Sequence, residues 1–465
     1  MRAPLRFVVL CALVCLFASA SFGQAVSSAI GGAPVDPGYA QKAPKSVSSV
    51  SLGLSLSSVV LDADTGAVVG GASSFTATGS ASPVNVNPLC QPTNDDRLQT
   101  NNPLPNQSNI DGLITLATFD GAFTAQAGPS AGRDFRFTMI GNDPRLGHPT
   151  VVPACLDEVS LQLLNADGSV FTTVPFAPFE QGTLESPNFE PLDYRSGAHV
   201  QYADAVHRAQ FFNVMKDNWH TVLMPSVTNR TTITVPFFVN VQLSNGTIVQ
   251  ARSYFTGTAA DGSTFVLMLS PLFNFFFDNE VVNQINQGNF VTNAVNMTLF
   301  PNTFLFSLNA NNPNVPGSCC TLGFHTFFRD SAFPESRWVT QYASWISPGL
   351  FGAGFQDVTA LSHETSEAFG DPFVNNTTPN WQFPGQPATS KVCQANLEEG
   401  DPIEVLANAT ATVEVKEKGF HFFFHPQNIP LFQWFEMGAT SSAIDGAFSF
   451  PDETVLPHSA IPCPQ

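Results

Sequence analysis

The chain has 465 residues, of which only 12% are charged, and its formal net charge is −19. Because it contains no cluster of Lys and Arg that could neutralise phosphates, nucleic acid and anionic membrane surfaces are disfavoured as partners. The excess of carboxylates suits an extracellular protein that binds cations, and it suits equally well a protein that needs a soluble surface. The length allows a large core and more than one domain.

The N-terminus has the pattern of a secretory signal peptide, which we place at residues 1–23. Arg2 and Arg6 flank the start, an apolar run extends over residues 7–17, and the small residues Ala18-Ser19-Ala20 follow. No later segment offers about 18 uninterrupted apolar residues, so we expect no membrane span. The sequence therefore predicts a secreted, extracellular protein.

Six cysteines remain once residues 1–23 are removed, and an even number in an oxidising compartment predicts a disulfide framework. They are Cys90, Cys155, Cys319, Cys320, Cys393 and Cys463. Their pairing is not defined by the sequence. Because a bridge between neighbours is strained, we expect Cys319 and Cys320 to reach separate partners.

Residues 24–109 are rich in Ser, Ala, Gly, Pro and Asn, which is typical of a loose extension. Within it, the segment 47–69 alternates Val and Leu with Ser and predicts a pair of strands. Cleavage of the extension as a pro-segment is left open by the sequence.

Residues 110–260 predict a β-rich region, because short apolar or alternating runs are separated by Gly, Pro and Asn-Gly. The predicted strands include 113–119, 135–140, 159–164 and 231–243. Residues 200–216 are the exception, since their apolar residues follow helical spacing behind Gly197.

We interpret residues 261–440 as a zincin-like region and residues 441–465 as a C-terminal tail. Residues 264–277 predict a strand, and residues 299–308 predict a buried strand interrupted by Pro301. The predicted fold class is α+β, with a β-rich N-terminal half followed by a metallopeptidase-like part. In that part, helices over 200–216 and 358–370 are expected to pack on a sheet.

The most informative segment is Ser362-His363-Glu364-Thr365-Ser366-Glu367-Ala368 within the predicted helix 358–370. Asp357 is placed to cap this helix, and Asp371-Pro372 to end it. Positions i and i+4 share one helix face, so His363 and Glu367 project together, with Glu364 beside them. This resembles the HExxH helix of zinc proteases, with a carboxylate in place of the second histidine.

These residue types predict a zinc site with hydrolytic chemistry. Neutral imidazole and carboxylate oxygen are zinc ligands, and Glu364 is placed as the general base for metal-activated water. The sequence therefore predicts a zinc-dependent hydrolase that acts on peptides or another extracellular polymer. Calcium is an alternative cation, since it prefers oxygen ligands, and His363 is then only a neighbour.

A third zinc ligand has several candidates. The acidic segment Glu398-Glu399-Gly400-Asp401 follows the helix, and we rank Glu398 and Asp401 above Asp371, because an aspartate before a proline often braces a helix end. His325, His421 and His425 are further candidates. Their apolar surroundings favour structural roles for all three.

Several of these motifs together resemble the plant EXORDIUM or phosphate-induced proteins. That family has a Cys-Gly-Tyr-His element, then His-Glu-x-x-Glu-Ala with Asp/Asn-Pro, a Trp, and a Glu…Asp pair. The corresponding strings here are Gly323-Phe324-His325-Thr326, Ser362 to Ala368 with Asp371-Pro372, Asn380-Trp381, and Glu398…Asp401. The resemblance covers about a quarter of the chain, and it implies a secreted or cell-wall-associated protein with a zincin-like core.

Three other interpretations stay open at this stage. In the first, the acidic helix is exposed and its histidine is structural. In the second, the protein is a non-catalytic secreted or wall-associated protein whose zinc or calcium braces the fold. In the third, it is an enzyme that uses two carboxylates to process a carbohydrate.

Overall fold

The computed structural model describes residues 59–71, 78–79, 90, 108–110, 113–194, 199–330, 335–352, 354–386, 393–404, 406–417, 420–438, 455–459 and 463. The predicted signal peptide at 1–23, residues 24–58 of the predicted extension and most of the predicted tail at 441–465 lie outside the described residues. Strands dominate over helices, so the fold is a strand-rich α+β fold, as predicted. No helix in the described ranges is long and apolar enough to cross a membrane.

The strands are β1 Val60–Asp62, β2 Val68–Gly70, β3 Thr78–Gly79, β4 Ser108–Ile110, β5 Leu113–Thr115, β6 Thr118–Thr124, β7 Asp134–Ile140, β8 Thr150–Leu164, β9 Val170–Val174, β10 Leu192–Asp193, β11 His199–Val200, β12 Thr221–Val235, β13 Phe238–Gln242, β14 Ile248–Arg252, β15 Tyr254–Thr258, β16 Thr264–Leu269, β17 Val295–Pro301, β18 Thr303–Leu308, β19 Pro316–Thr321, β20 Gly323–Arg329, β21 Arg337–Trp345, β22 Thr377–Trp381, β23 Gln394–Asn396, β24 Val413–Glu417 and β25 Phe420–Phe424.

The α-helices are α1 Ala177–Leu184, α2 Tyr202–Gln210, α3 Ser270–Gln287, α4 Thr359–Gly370 and α5 Phe432–Phe435. Short 3-10 helices cover Gly128–Ser130 and Asp401–Ile403.

A central mixed sheet organises the molecule, with strand order β20-β21-β17-β8-β12-β3 and with β9 on the edge of β8. The four strands β21, β17, β8 and β12 are parallel, while β20 and β3 are antiparallel to their neighbours. Every residue of β17 is buried, as expected for a parallel strand that is covered on both faces.

The sheet separates two apolar cores because alternate side chains point to opposite faces. On β21, Val339 and Ala343 belong to the first core, and Trp338 and Tyr342 to the second. Helices α2 and α4 cover the first face, as predicted, although α2 ends at Gln210 and not at the predicted residue 216. Helix α3 covers the second face. Phe273 of α3, for example, packs 4.4 Å from the ring of Tyr342.

Two turn segments of the predicted β-rich region connect antiparallel strands. Residues 165–168 connect β8 with β9, and Asn245-Gly246 connects β13 with β14. The predicted strand 264–277 is wrong beyond Leu269, because α3 begins at Ser270 with Pro271 in its first turn. A continuous apolar run does not distinguish a buried strand from a buried helix, and proline in that position favours a helix start.

The disulfides are Cys90–Cys155, Cys393–Cys463 and Cys319–Cys320. The first two pairs have Cα atoms 5.7 and 5.3 Å apart, which is the usual spacing. The prediction that Cys319 and Cys320 reach separate partners is wrong, because the four remaining cysteines already pair with one another.

Part of the predicted loose extension is joined to the body. Strands β1 and β2 belong to a sheet of order β14-β13-β1-β2, and Leu61 is fully buried in the second core. The predicted strand pair at 47–69 is therefore present from Val60 onward, and residues 47–58 lie outside the described part.

A buried pair of acids lies between the sheet and α3. Asp157 of β8 and Glu280 of α3 are both fully buried, and Thr231 Oγ1 lies within 3.0 Å of Asp157 Oδ1 and 2.8 Å of Glu280 Oε1. Burial raises the pKa of both carboxyl groups, and their proximity raises that of Asp157 further. The pair therefore retains a proton above the usual titration range.

We expect Glu280→Gln to flatten the pH dependence of unfolding. A carboxyl group whose pKa is raised by folding stabilises the protein fully at low pH, and this contribution is lost as the pH rises through the folded-state pKa, at about 1.4 kcal/mol per pH unit. The free energy of unfolding, measured in urea at pH 5 and pH 8, is expected to fall less in Glu280→Gln than in the wild type. Glu185→Gln, at the partly exposed residue that follows α1, is the control, and an equal fall in all three proteins contradicts the prediction.

Candidate metal centre

Helix α4 is buried on every side. It packs against β20 and β21 of the central sheet, against β7 and against α2. All of its residues are buried, including His363 and Glu364, whose exposures are 6% and 4%. The polar face of α4 therefore points into the protein, and the interpretation of an exposed acidic helix is wrong.

Polar contacts fix where α4 begins. Asp357 lies two residues before the helix, and its Oδ1 accepts the backbone N–H groups of Val358 and His425 at 2.6 and 2.8 Å. Its Oδ2 lies 2.7 Å from His425 Nδ1. Asp357 thus ties the start of α4 to His425, but the prediction that Asp357 caps the helix is wrong, because the N-cap residue is Val358. His421 makes a different contact: it pairs with the exposed Glu414 on the neighbouring strand β24.

His363 directs its Nε2 toward two carboxylates. Gln427 Nε2 donates to the carbonyl of Gly400 at 2.8 Å, which leaves Gln427 Oε1 to accept the proton of His363 Nδ1 at 3.0 Å. The neutral imidazole therefore carries its lone pair on Nε2. This atom lies 3.0 Å from Glu367 Oε2 and 3.5 Å from Asp401 Oδ1.

His325 presents its lone pair to the same group from β20. Its Nε2 donates to the backbone carbonyl of Asp371 at 3.1 Å, so the lone pair of the neutral ring is on Nδ1. Nδ1 lies 3.5 Å from Glu367 Oε2, 3.7 Å from Glu364 Oε2 and 4.0 Å from Glu398 Oε2. His325 is fully buried, and its Nδ1 has no hydrogen-bond partner among the described residues. The sequence favours a structural role for His325, but its ring also faces the acidic cluster.

Glu367 lies at the centre of the cluster. Its Oε1 accepts the backbone N–H of Gly400 at 3.0 Å, which holds the carboxylate in one orientation. Its Oε2 is the oxygen that both His363 Nε2 and His325 Nδ1 face. The predicted pairing of His363 and Glu367 on one face of a helix is therefore present.

Three further carboxylates surround these residues. Glu364 Oε1 lies 3.9 Å from His363 Nε2, and Glu404 Oε1 lies 3.7 Å from His363 Nδ1. The second oxygens of Glu364, Glu404 and Glu398 are buried and have no hydrogen-bond partner among the described residues. Buried polar atoms normally have partners, so these oxygens call for a group that the protein itself does not provide.

Asp371 has a bracing role at the end of α4. Its carboxylate accepts the backbone N–H groups of Asn375 and Asn376 at 2.9 to 3.0 Å, and its carbonyl accepts the proton of His325. The carboxylate of Asp371 is thus hydrogen-bonded to backbone groups, as the sequence analysis describes for an aspartate before a proline.

Two glycines allow the backbone to approach the cluster closely. A Cβ atom at Gly323 would lie 2.5 Å from Glu364 Oε1, and one at Gly400 would lie 2.5 Å from His363 Nδ1. Gly400 has an ordinary φ of −85°, so its requirement for glycine is steric, and the three atoms nearest to an added Cβ all belong to His363.

We expect Gly400→Ala to displace the His363 ring and weaken metal binding by about 10-fold or more, in the range of lost supporting contacts around metal sites. The measurement is the Zn²⁺ dissociation constant of the purified variant. Gly352→Ala is the matched control, because nothing lies within 4 Å of a Cβ built there. Equal affinities in the two variants contradict the expected displacement.

Burial and mutual repulsion raise the pKa of most carboxyl groups in the cluster, that of Asp401 to about 8. The same direction holds for Glu364, Glu398, Glu399 and Glu404. Burial alone would raise the pKa of Glu367, but the two histidines outweigh it and hold this pKa below its usual range. Burial alone would lower the pKa of each histidine, but the carboxylates outweigh it and raise both pKa values well above the usual range. The cluster therefore holds more carboxyl groups than histidines, and protons or cations must balance the carboxylates.

The donor atoms form two adjacent groups that could hold metal ions. The outer set is His363, Asp401 and Glu404, of which the last two are partly exposed; the inner set is His325, Glu364 and Glu367, all buried. Within each set the ligand atoms lie within 4.8 Å of one another. Glu398 lies beside the inner set.

Sequence reasoning did not identify Glu399, Glu404 and Gln427 as part of this site. Glu404 follows Asp401 by one turn of a 3-10 helix, so the acidic segment carried a signal for it. Gln427 lies 64 residues from His363 in the sequence and has no pattern that points to a site. Only the fold brings it beside α4.

Comparison with known proteins finds no matching family model, no matching curated protein and no matching solved structure. The likeness to the EXORDIUM proteins rests on the quoted motifs, and it stays a prediction.

Proposed function

We propose that this protein is a secreted zinc-dependent hydrolase that cleaves peptide bonds. One observation carries the proposal: His363 Nε2 and Glu367 Oε2 lie 3.0 Å apart in a buried site, while Gln427 holds the imidazole proton on the other nitrogen. Two lone pairs at that distance repel each other unless a proton or a cation lies between them. A cation also supplies a partner for the unpaired carboxylate oxygens nearby.

The spacing of the donors suits zinc. Zinc binds imidazole nitrogen and carboxylate oxygen at about 2.0–2.1 Å, and tetrahedral geometry then separates two ligand atoms by about 3.3 Å. The distances from His363 Nε2 to Glu367 Oε2 and Asp401 Oδ1, 3.0 and 3.5 Å, bracket this value. They support Asp401 as the third ligand on this side, ahead of Glu398. Calcium is the alternative ion, because most of the donors are carboxylates.

Hydrolysis then follows from the position of Glu364. A divalent cation held by this centre supplies Lewis acidity, which acidifies water and polarises a carbonyl. Glu364 accepts a proton from the attacking water at Oε1 and delivers it to the leaving amine. Burial raises the pKa of Glu364, and the absence of a side chain at Gly323 leaves room for Oε1.

Reactants approach from the outer side of the cluster. The side chains of Asp401 and Glu404 are 19% and 8% exposed, whereas those of Glu364 and Glu367 are 5% and 3% exposed. A peptide or another extracellular polymer that lies over Asp401 therefore reaches the centre first. The predicted signal peptide and the three disulfides support a location outside the cell.

The test combines zinc content with peptide hydrolysis. We expect the purified protein to contain zinc by elemental mass spectrometry and to cleave a fluorogenic peptide library, and we expect His363→Ala and Glu367→Ala to lose both properties. His421→Ala, an exposed histidine on β25, is the control. Zinc that survives in His363→Ala, or cleavage that survives complete chelation, contradicts the proposal.

A non-catalytic role is the second candidate, and the depth of the site favours it. His363 and Glu364 are almost completely buried, as the ligands of a cation that braces a fold often are. In that case Glu364→Gln leaves the function of the protein unchanged, whereas His363→Ala unfolds it.

A further inference from the structure

We propose that the cluster holds a second divalent cation, bound by the inner set together with Glu398 and sharing Glu367 Oε2 with the outer cation. The proposal rests on the metal centre of the proposed function and extends it from one ion to two. The donors are His325 Nδ1, Glu364 Oε2, Glu398 Oε2 and Glu367 Oε2.

The distances around His325 argue for a cation rather than a proton. A proton on Nδ1 needs an acceptor at about 2.7–3.2 Å, in line with the N–H bond. The three carboxylate oxygens lie at 3.5, 3.7 and 4.0 Å, and none is a hydrogen-bond partner. Ligands that each lie about 2.0–2.5 Å from one cation are separated by distances of this size.

The orientation of His325 is fixed for ligation. The backbone carbonyl of Asp371 can only accept a hydrogen bond, so it keeps the ring proton on Nε2 and directs the lone pair of Nδ1 into the inner set. Metal-binding histidines commonly donate their other nitrogen to a backbone carbonyl in this way. Without a cation, the fully buried Nδ1 faces three carboxylates but has no hydrogen-bond partner among the described residues.

The charge of the cluster also favours two ions. Seven carboxyl groups lie in or beside it: Glu364, Glu367, Asp371, Glu398, Glu399, Asp401 and Glu404. One divalent cation offsets two of these charges, and two cations offset four. Because an uncompensated buried charge is strongly unfavourable, a second ion takes the place of protons that these buried carboxyl groups otherwise have to keep.

Two residues join the sites. Glu367 Oε2 faces a histidine lone pair on each side, which is the position of an oxygen shared by two cations. Glu364 is divided between them, with Oε2 toward His325 and Oε1 toward His363. A carboxylate bound to the inner ion through Oε2 keeps Oε1 free to accept a proton on the outer side, so the proposed base function is retained.

The experiment counts the ions. Metal-free protein is loaded with Zn²⁺, dialysed and analysed by elemental mass spectrometry, in the wild type and in His325→Gln, His363→Gln and His421→Gln. We expect two equivalents in the wild type and in His421→Gln, and one in each of the other two variants. Because buried variants can fail to fold, wild-type protein loaded with Mn²⁺ is also measured by electron paramagnetic resonance, where we expect the signal of a spin-coupled pair.

A single equivalent in the wild type, or two equivalents that His325→Gln leaves unchanged, overturns the second site. An uncoupled Mn²⁺ signal at full loading overturns the shared oxygen and with it the proposal. The proposed function is tested separately. Two bound zinc ions without peptide cleavage contradict the hydrolase and support the second site. Peptide cleavage with one bound zinc ion supports the hydrolase and contradicts the second site.

Discussion

Glu364→Gln is expected to reduce peptide cleavage by about 10²- to 10⁴-fold, the usual contribution of a general base. The amide has nearly the same shape as the carboxylate but accepts no proton from water at neutral pH. The outer cation keeps His363, Glu367 and Asp401, so zinc on that side is retained. The measurement is kcat on the best peptide substrate, together with the zinc content of the same preparation.

Glu436→Gln is the matched control for this variant. Burial also raises the pKa of Glu436, and its side chain accepts a hydrogen bond from Gln126 at 3.2 Å, away from α4. We expect its kcat to stay within about 3-fold of the wild type, as is usual for a substitution outside an active site. If Glu364→Gln retains zinc and cleaves peptides as fast as Glu436→Gln, Glu364 is not the base.

Removal of zinc is expected to lower the free energy of unfolding by about 4 kcal/mol, when zinc was present at about 1,000 times its dissociation constant. Metal binding is then coupled to folding, because the donors come together only in the native state. The measurement is urea unfolding of the zinc-loaded and chelated protein under non-reducing conditions. His363→Ala is expected to lose the zinc-dependent gain.

The zinc-dependent gain is expected to be larger at pH 8 than at pH 6. Burial and the neighbouring carboxylates raise the pKa of Asp401 to about 8, so at pH 6 zinc must displace its proton. A folded-state pKa above the unfolded value gives stability that is present at low pH and lost as the pH rises through about 8. The free energy of unfolding of the metal-free protein therefore falls toward pH 8, and zinc binding raises it most at that pH. A gain that is independent of pH, or absent in the wild type, contradicts this expectation.

The centre of the site was predictable because its geometry is local. His363 and Glu367 are one helical turn apart, and 3.6 residues per turn place them on one face wherever the helix packs. The start and end of α4 were predicted to within a residue from Asp357 and from Asp371-Pro372. The acidic segment near Asp401 was predicted as a partner from its composition.

The remainder of the site depends on contacts between distant parts of the chain. His325 was favoured as a core histidine, because its sequence neighbours Phe324, Thr326 and Phe327 describe only a strand. Its position beside the acidic cluster appears only when β20 is placed at the edge of the central sheet and α4 packs across it. The same holds for Gln427, whose amide sets the tautomer of His363 from a loop after β25.

The sequence by itself determined the α+β class, the hairpin turns, the helix α4 and the paired face of His363 and Glu367, since these follow from periodicity, turn chemistry and helix-end residues. The tertiary structure decided three other properties: the burial of the polar face of α4, the pairing of Cys319 with Cys320, and the meeting of two histidine ring nitrogens at Glu367 Oε2. These depend on which strands and loops become neighbours, and a local pattern carries no information about that.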